Sequence, residues 1–162
     1  MKCTVYIETT IPSFYYEVRD DPEMIARRES TRRWWTNERQ NYELVTSAYV
    51  IGELRRGEYP GRDDALSLIQ HLPLLELTPA IEEIAKSYVD RHLMPTGEMG
   101  DAYHLAAASC HGCDFLLTWN CRHLANANKA RHLAGVNIEL GLPIPIITTP
   151  DLLLTETYDA PG

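Results

Sequence analysis

The stretch whose reading decides the fold begins Gly100-Asp101-Ala102-Tyr103-His104-Leu105-Ala106. It continues through alanines to Cys110 and then enters Asp114-Phe115-Leu116-Leu117-Thr118-Trp119-Asn120. Residues 98–110 are rich in good helix formers, and residues 114–118 form a short apolar run of the kind that makes a buried strand. Outward from there, strand signals recur at residues 3–8, 42–47, 74–77 and 144–148. Helical signals fall between them. A turn opens at Thr9-Thr10-Ile11-Pro12, and a weakly amphipathic helix covers 22–39. A third helix runs from Ala48 to Arg56, with Ser47 positioned to cap it and Gly57 to end it. Apolar spacing marks another helix around 65–72, and Ile81, Ile84, Ala85, Tyr88 and His92 give one face of a helix starting at Pro79. A looser helix is expected from 122 to 140. Strands alternating with helices predict an α/β fold with a mainly parallel sheet of about five strands.

Composition bounds the function. The chain has 162 residues, 44% of them apolar, and a formal net charge of -8, so a single globular domain over 1–162 is expected. The acidic balance argues against a general polyanion binder and leaves room for acidic groups gathered to hold cations. No apolar run approaches the ~18 residues that cross a bilayer, and Glu8 comes too early for a signal peptide. A cytoplasmic protein without a membrane segment is expected. Reduced thiols are then the expectation for Cys3, Cys110, Cys113 and Cys121, and one CxxC with no second knuckle makes a poor zinc site.

Sites in open parallel sheets form outside the carboxyl ends of the strands, where strand order reverses. Glu8 closes the first strand, Asn120 follows the strand at 114–118, Asp101 opens the helix before it, and Glu53 lies on the helix after the second strand. If the first strand neighbours the one at 114–118, all four face one crevice. Crowded carboxylates repel unless a cation neutralises them, and oxygen ligands suit Mg2+ or Mn2+ better than zinc. Each residue also has a plainer role available: Glu53 paired with Arg56 one turn on, or Asp101 complementing a helix dipole.

Taken in order, Tyr6-Ile7-Glu8-Thr9-Thr10, Ser47 through Gly57, Gly100 through Ala106 and Asp114 through Asn120 resemble the motifs of PIN-domain nucleases, most closely the VapC-type toxins of type II toxin–antitoxin pairs. The resemblance spans nearly the whole chain. It implies a PIN-like, Rossmann-like three-layer α/β/α domain and a divalent-metal site of three or four acids. It also implies hydrolytic cleavage of RNA to 5′-phosphate and 3′-hydroxyl ends, a homodimer, and a small cognate antitoxin. In that frame Glu8 and Asp101 hold Mg2+ or Mn2+, and Glu53 is a ligand or orients a metal-bound water. Two positions depart from the pattern. The first acid is usually Asp and here is Glu8; the fourth is commonly Asp and here is Asn120, whose amide oxygen ligates weakly and brings no charge. One well-held ion is therefore expected, with a second recruited by substrate phosphate. Two other readings stand beside this one: a weakened domain that binds RNA or protein without cutting, and a housekeeping RNA-processing nuclease.

Any nucleic-acid surface must be local. Residues 22–40 carry five Arg against three Glu and are joined by Trp34 and Trp35, where an aromatic beside guanidinium groups would stack on an unpaired base. A solvated helix face with a buried Trp is the plainer expectation, and an apolar remainder of that helix would suit a dimer or antitoxin groove. Arg55 and Arg56, with Arg62, are the stronger candidates for phosphate contacts. Thr9 and Thr118 are candidates for hydroxyl bonds to a phosphate or a metal-bound water, or serve as caps and strand-end turns. His104 lines the crevice or lies in the interior, and Arg122 and His123 are expected on the rim.

Overall fold

The protein is described here from a computed structural model covering residues 1–97 and 99–155. Four parallel strands, β1 (Cys3–Ile7), β2 (Tyr42–Val45), β3 (Phe115–Leu117) and β4 (Ile146–Thr148), form a sheet in the order β2-β1-β3-β4. Helices α1 (Thr10–Tyr15), α2 (Pro22–Asn37), α3 (Ala48–Arg56), α4 (Arg62–Ile69), α5 (Pro79–Asp90), α6 (Met99–Cys110) and α7 (Ala130–Leu140) connect and flank them. This is the α/β fold that the alternation predicts. Val5, Tyr6 and Ile7 are buried on both faces of the central strand, as helix-covered parallel sheets require. The alanines of α6 (Ala102, Ala106, Ala107 and Ala108) are fully buried, because small side chains let a helix lie close against its neighbours.

The expected neighbour relation holds: β1 pairs with β3 through Val5–Phe115, Tyr6–Leu116 and Ile7–Leu117. The chain leaves β1 toward β2 on one side and returns to β3 on the other, so strand order reverses between β1 and β3. That gap is where a ligand site belongs in this class of sheet.

Three expectations need correction. Residues 74–77 contribute a single bridge, Thr46 to Leu74, not a strand, so the sheet has four strands. Thr46 N–H donates to Pro73 O and Leu75 N–H to Thr46 O, which makes the single bridge, while Leu75 and Leu77 pack against the core and Leu74 is exposed. The helix expected from 122 begins at Ala130, because Asn120 and Asn126 hold the preceding segment in turns and a short 3-10 helix at Ala127–Lys129. Ser47 occupies the N-cap position of α3, but its hydroxyl bonds Tyr6 instead of the helix. Glu98 and residues 156–162, the remainder of the expected 1–162 domain, lie outside the described residues.

Candidate functional site

Glu8 follows β1 and is 3% exposed, which obliges its charge to find donors. It finds three, all on Oε1: the Thr10 backbone N–H at 3.0 Å, the Thr10 hydroxyl, and the Thr118 hydroxyl at 2.7 Å. Thr10 and Thr118 are held in turn, since Thr10 Oγ1 accepts the Trp119 N–H at 2.8 Å and Thr118 Oγ1 accepts the Asn120 N–H at 2.9 Å. The clamp therefore joins the ends of β1 and β3 and leaves Glu8 Oε2 for another partner. Thr118 is thus a support for Glu8. Thr10, absent from the sequence-based candidates, is an equal support; its signal was a hydroxyl two residues after a strand-ending acid.

Glu53 lies on α3 against the first turn of α6, where a methyl group added at Gly100 would sit 3.6 Å from Glu53 Oε1. Its partner is His104, one turn after Asp101 on the same helix and fully buried. The pairing of Glu53 with Arg56 is replaced by this contact, and Arg56 adds only a weaker charge interaction. On the other side of the ring, Nδ1 lies 2.7 Å from the Tyr6 hydroxyl, which lies 2.7 Å from Ser47 Oγ. Tyr6 stays neutral, since burial raises it well above its ordinary value.

Burial alone would lower the His104 pKa. The Glu53 hydrogen bond and the charges of Glu8, Glu53 and Asp101 outweigh burial, and the net shift is upward. Glu53 is the complement: burial pushes it up, but the His104 hydrogen bond and charge, with smaller help from Thr9 and Arg56, bring it below the ordinary carboxylate value. The Thr9 hydroxyl is buried and without a well-formed hydrogen bond of its own. Glu53 thus pairs with the imidazole at the β1–β3 gap, and the charges of Glu8 and Asp101, distant along the chain, act on the same ring. Asp101 is half-buried in the first turn of α6 and also acts on Lys129.

The remaining candidates divide. Asn120 closes the turn after β3, its Oδ1 accepting the His123 N–H at 3.0 Å. Arg55 and Arg56 are exposed on the last turn of α3. Trp34 and Trp35 are buried, and Trp34 Nε1 donates to Leu153 O at 2.8 Å, so neither can stack on a base or form a surface groove. The neighbouring arginines tie elements together: Arg32 donates to Tyr15 O at 2.8 Å, and Arg27 lies over the rings of Phe14 and Trp119. All four cysteines are free thiols, with burial pushing Cys113 up to about 11.

By donor chemistry, three carboxylates and an amide fit a hard cation such as Mg2+ or Mn2+. By spacing they fall short of a preformed shell. Among the described residues no group of three or more His, Cys, Asp and Glu is arranged to hold a metal ion, and Glu8 and Glu53 each give an oxygen to protein donors. No helix among the described residues is long and apolar enough to cross a membrane.

No protein-family model matches the chain, and no curated protein matches it in sequence. Solved structures do. VapC20 of Mycobacterium tuberculosis, a Sarcin-Ricin loop cleaving toxin, superposes with a TM-score of 0.54 at 20% identity, covering 69% of this chain and 86% of its own. VapBC2 of Rickettsia felis, solved with a DNA fragment from its promoter, gives a TM-score of 0.58 at 13% identity over 90% of this chain and 98% of its own. FitAcB of Neisseria gonorrhoeae gives 0.53 at 13% identity over 92% and 99%. The parallel sheet, its strand order and these likenesses agree: the chain has the PIN-domain fold of the VapC-type toxins.

Proposed function

We propose that the chain is a divalent-metal-dependent endoribonuclease, the toxin of a type II toxin–antitoxin pair. What supports this most is that Glu53 pairs with His104 and that the charges of Glu8 and Asp101, from two other elements, act on the same ring near the point where strand order reverses. The toxin role and a small antitoxin partner are carried over from the likeness to VapC20 and VapBC2, and the expected homodimer and cytoplasmic setting belong to the same reading.

Glu8, Asp101 and Glu53 are the residues that would hold Mg2+ or Mn2+, with Asn120 beside them. When bound, such an ion supplies an acidified water and neutralises charge growing on phosphoryl oxygens. The chain's own residues do the preparatory work. Thr10 and Thr118 fix one oxygen of Glu8, His104 fixes Glu53 and favours its ionised form, and Tyr6 fixes His104. Side chains held in this way lose little freedom when substrate arrives, which is how positioning contributes to rate.

Asp101→Asn removes a charge and keeps the shape. Purified protein should cut single-stranded RNA in Mg2+ or Mn2+, and the variant should not; equal cleavage by the variant would remove the assignment. A second reading, a domain that binds without cutting, is favoured by Asn120, which carries no charge and gives its oxygen to a turn. RNA binding by the wild type with no metal-dependent hydrolysis would select it.

A further inference from the structure

Beside the carboxylates, between the end of α5 and the turn after β3, lies a cavity of about 380 Å³. His92, Arg122, His123 and Lys129 line it, and no carboxylate lines it among the described residues. Among the described lining residues that is a local reversal of sign in a chain of net charge -8. Lys129 is held at its wall, its ammonium donating to Leu93 O at 2.9 Å and His123 O at 3.2 Å. Two of its three N–H groups are thereby spent on carbonyls, which fixes the charge in place and leaves one to donate. Arg122 is exposed, and no carboxylate among the described residues pairs with it. His92, at the cavity wall, is the one non-glycine residue with positive φ among the described residues, at 60°. The cavity adjoins the crevice by two routes: Asp101 acts on Lys129, and Asn120 accepts from the His123 N–H.

We propose that this cavity is a phosphate subsite, holding an RNA backbone phosphate that adjoins the one being cut. The role rests on the nuclease reading; anion binding does not. A fixed ammonium, an exposed guanidinium and two imidazoles suit a phosphodiester, which is small, anionic and rich in acceptors. The subsite would run RNA past the β3 side of the crevice, whereas Arg55 and Arg56 stand on the last turn of α3.

The test measures binding of a labelled single-stranded RNA by full-length protein carrying Asp101→Asn, across a salt series. Each lost phosphate contact should lower the slope of log K against log salt by about 0.7 for a single strand. Arg122→Ala should show that loss, Arg122→Glu should weaken binding further, and Arg55→Ala should leave the slope unchanged. An unchanged slope in both Arg122 variants, or a loss at Arg55 alone, would overturn the proposal. A parallel arm titrates inorganic phosphate against the His92 and His123 ring signals. Shifts that RNA also produces support the subsite; shifts with phosphate but none with RNA would make it a free-phosphate site and overturn it. The two readings fail separately. Arg122-dependent RNA binding by a wild type that cuts nothing refutes the nuclease, whereas cleavage indifferent to Arg122 refutes the subsite.

Discussion

His104 donates its Nε2–H to the Glu53 carboxylate from a fully buried ring whose other nitrogen faces the Tyr6 hydroxyl. An ionised carboxylate only accepts, so Nε2 is the donor whether the ring is neutral or charged. The change between those states falls on Nδ1. There Tyr6 accepts from an imidazolium or donates to a neutral ring, and Ser47 adjusts behind it. Glu53 is held in either case.

The pair makes stability depend on pH. His104 is raised above its ordinary 6.5, so its contribution is complete below that value and is lost as pH rises through the folded pKa. Glu53 is lowered from 4.5, so its contribution is complete above that value and is lost as pH falls through the folded pKa. Urea denaturation should show the stability gap between wild type and His104→Leu widest between pH 4.5 and 6.5, narrowing on both sides. A gap independent of pH would show that the pair is not ionised.

Position can be separated from charge at the same ring. His104→Gln keeps an N–H near the place of Nε2, whereas His104→Leu removes it. Loss of an outer partner of this type typically costs 10–100-fold in metal affinity or activity. Mn2+ binding should therefore weaken by about tenfold or more in the Leu variant and recover substantially in the Gln variant. Equal affinity in all three proteins would leave His104 a purely structural residue.

Thr10 makes a third test. Thr10→Val preserves shape but strands the Trp119 N–H and removes a donor from Glu8. An unsatisfied buried group costs about 1–3 kcal/mol, so the variant should lose that much stability in urea while Thr10→Ser stays near wild type. Cleavage should fall in the Val variant well below the level that its folded fraction accounts for.

These residues also show where sequence reading stopped. Glu8 and Asp101 were legible because strand ends and helix starts follow from hydrophobic period, and the β1–β3 neighbour relation follows from the usual topology of such sheets. His104 was not, because a residue one turn after Asp101 either lines the crevice or enters the core, and only the burial of α6 decides. Thr10 was hidden because half its role depends on Trp119, 109 residues away. The segment at 74–77 had strand composition, and its Leu75 and Leu77 do pack against the core, but apolar spacing alone does not decide whether a segment pairs along its length or through one bridge. Trp34 and Trp35 took the plainer of their two readings: the arginines beside them left a nucleic-acid face open, but both rings are buried and those arginines fasten α2 to the ends of α1 and β3.

His92 sets stability against binding. It follows α5 at the position where glycine usually reverses the chain, with Leu93 N–H bonding Tyr88 O and His92 N–H bonding Val89 O. A side chain there is strained by about 1 kcal/mol in the left-handed region, a cost that glycine escapes. His92→Gly should therefore raise the thermal midpoint by about 2–4 °C, the shift that such a gain produces in a chain of this size. The same variant should weaken RNA binding, because the imidazole leaves the cavity. Increased stability with undiminished RNA binding would show that His92 is only a poor cap.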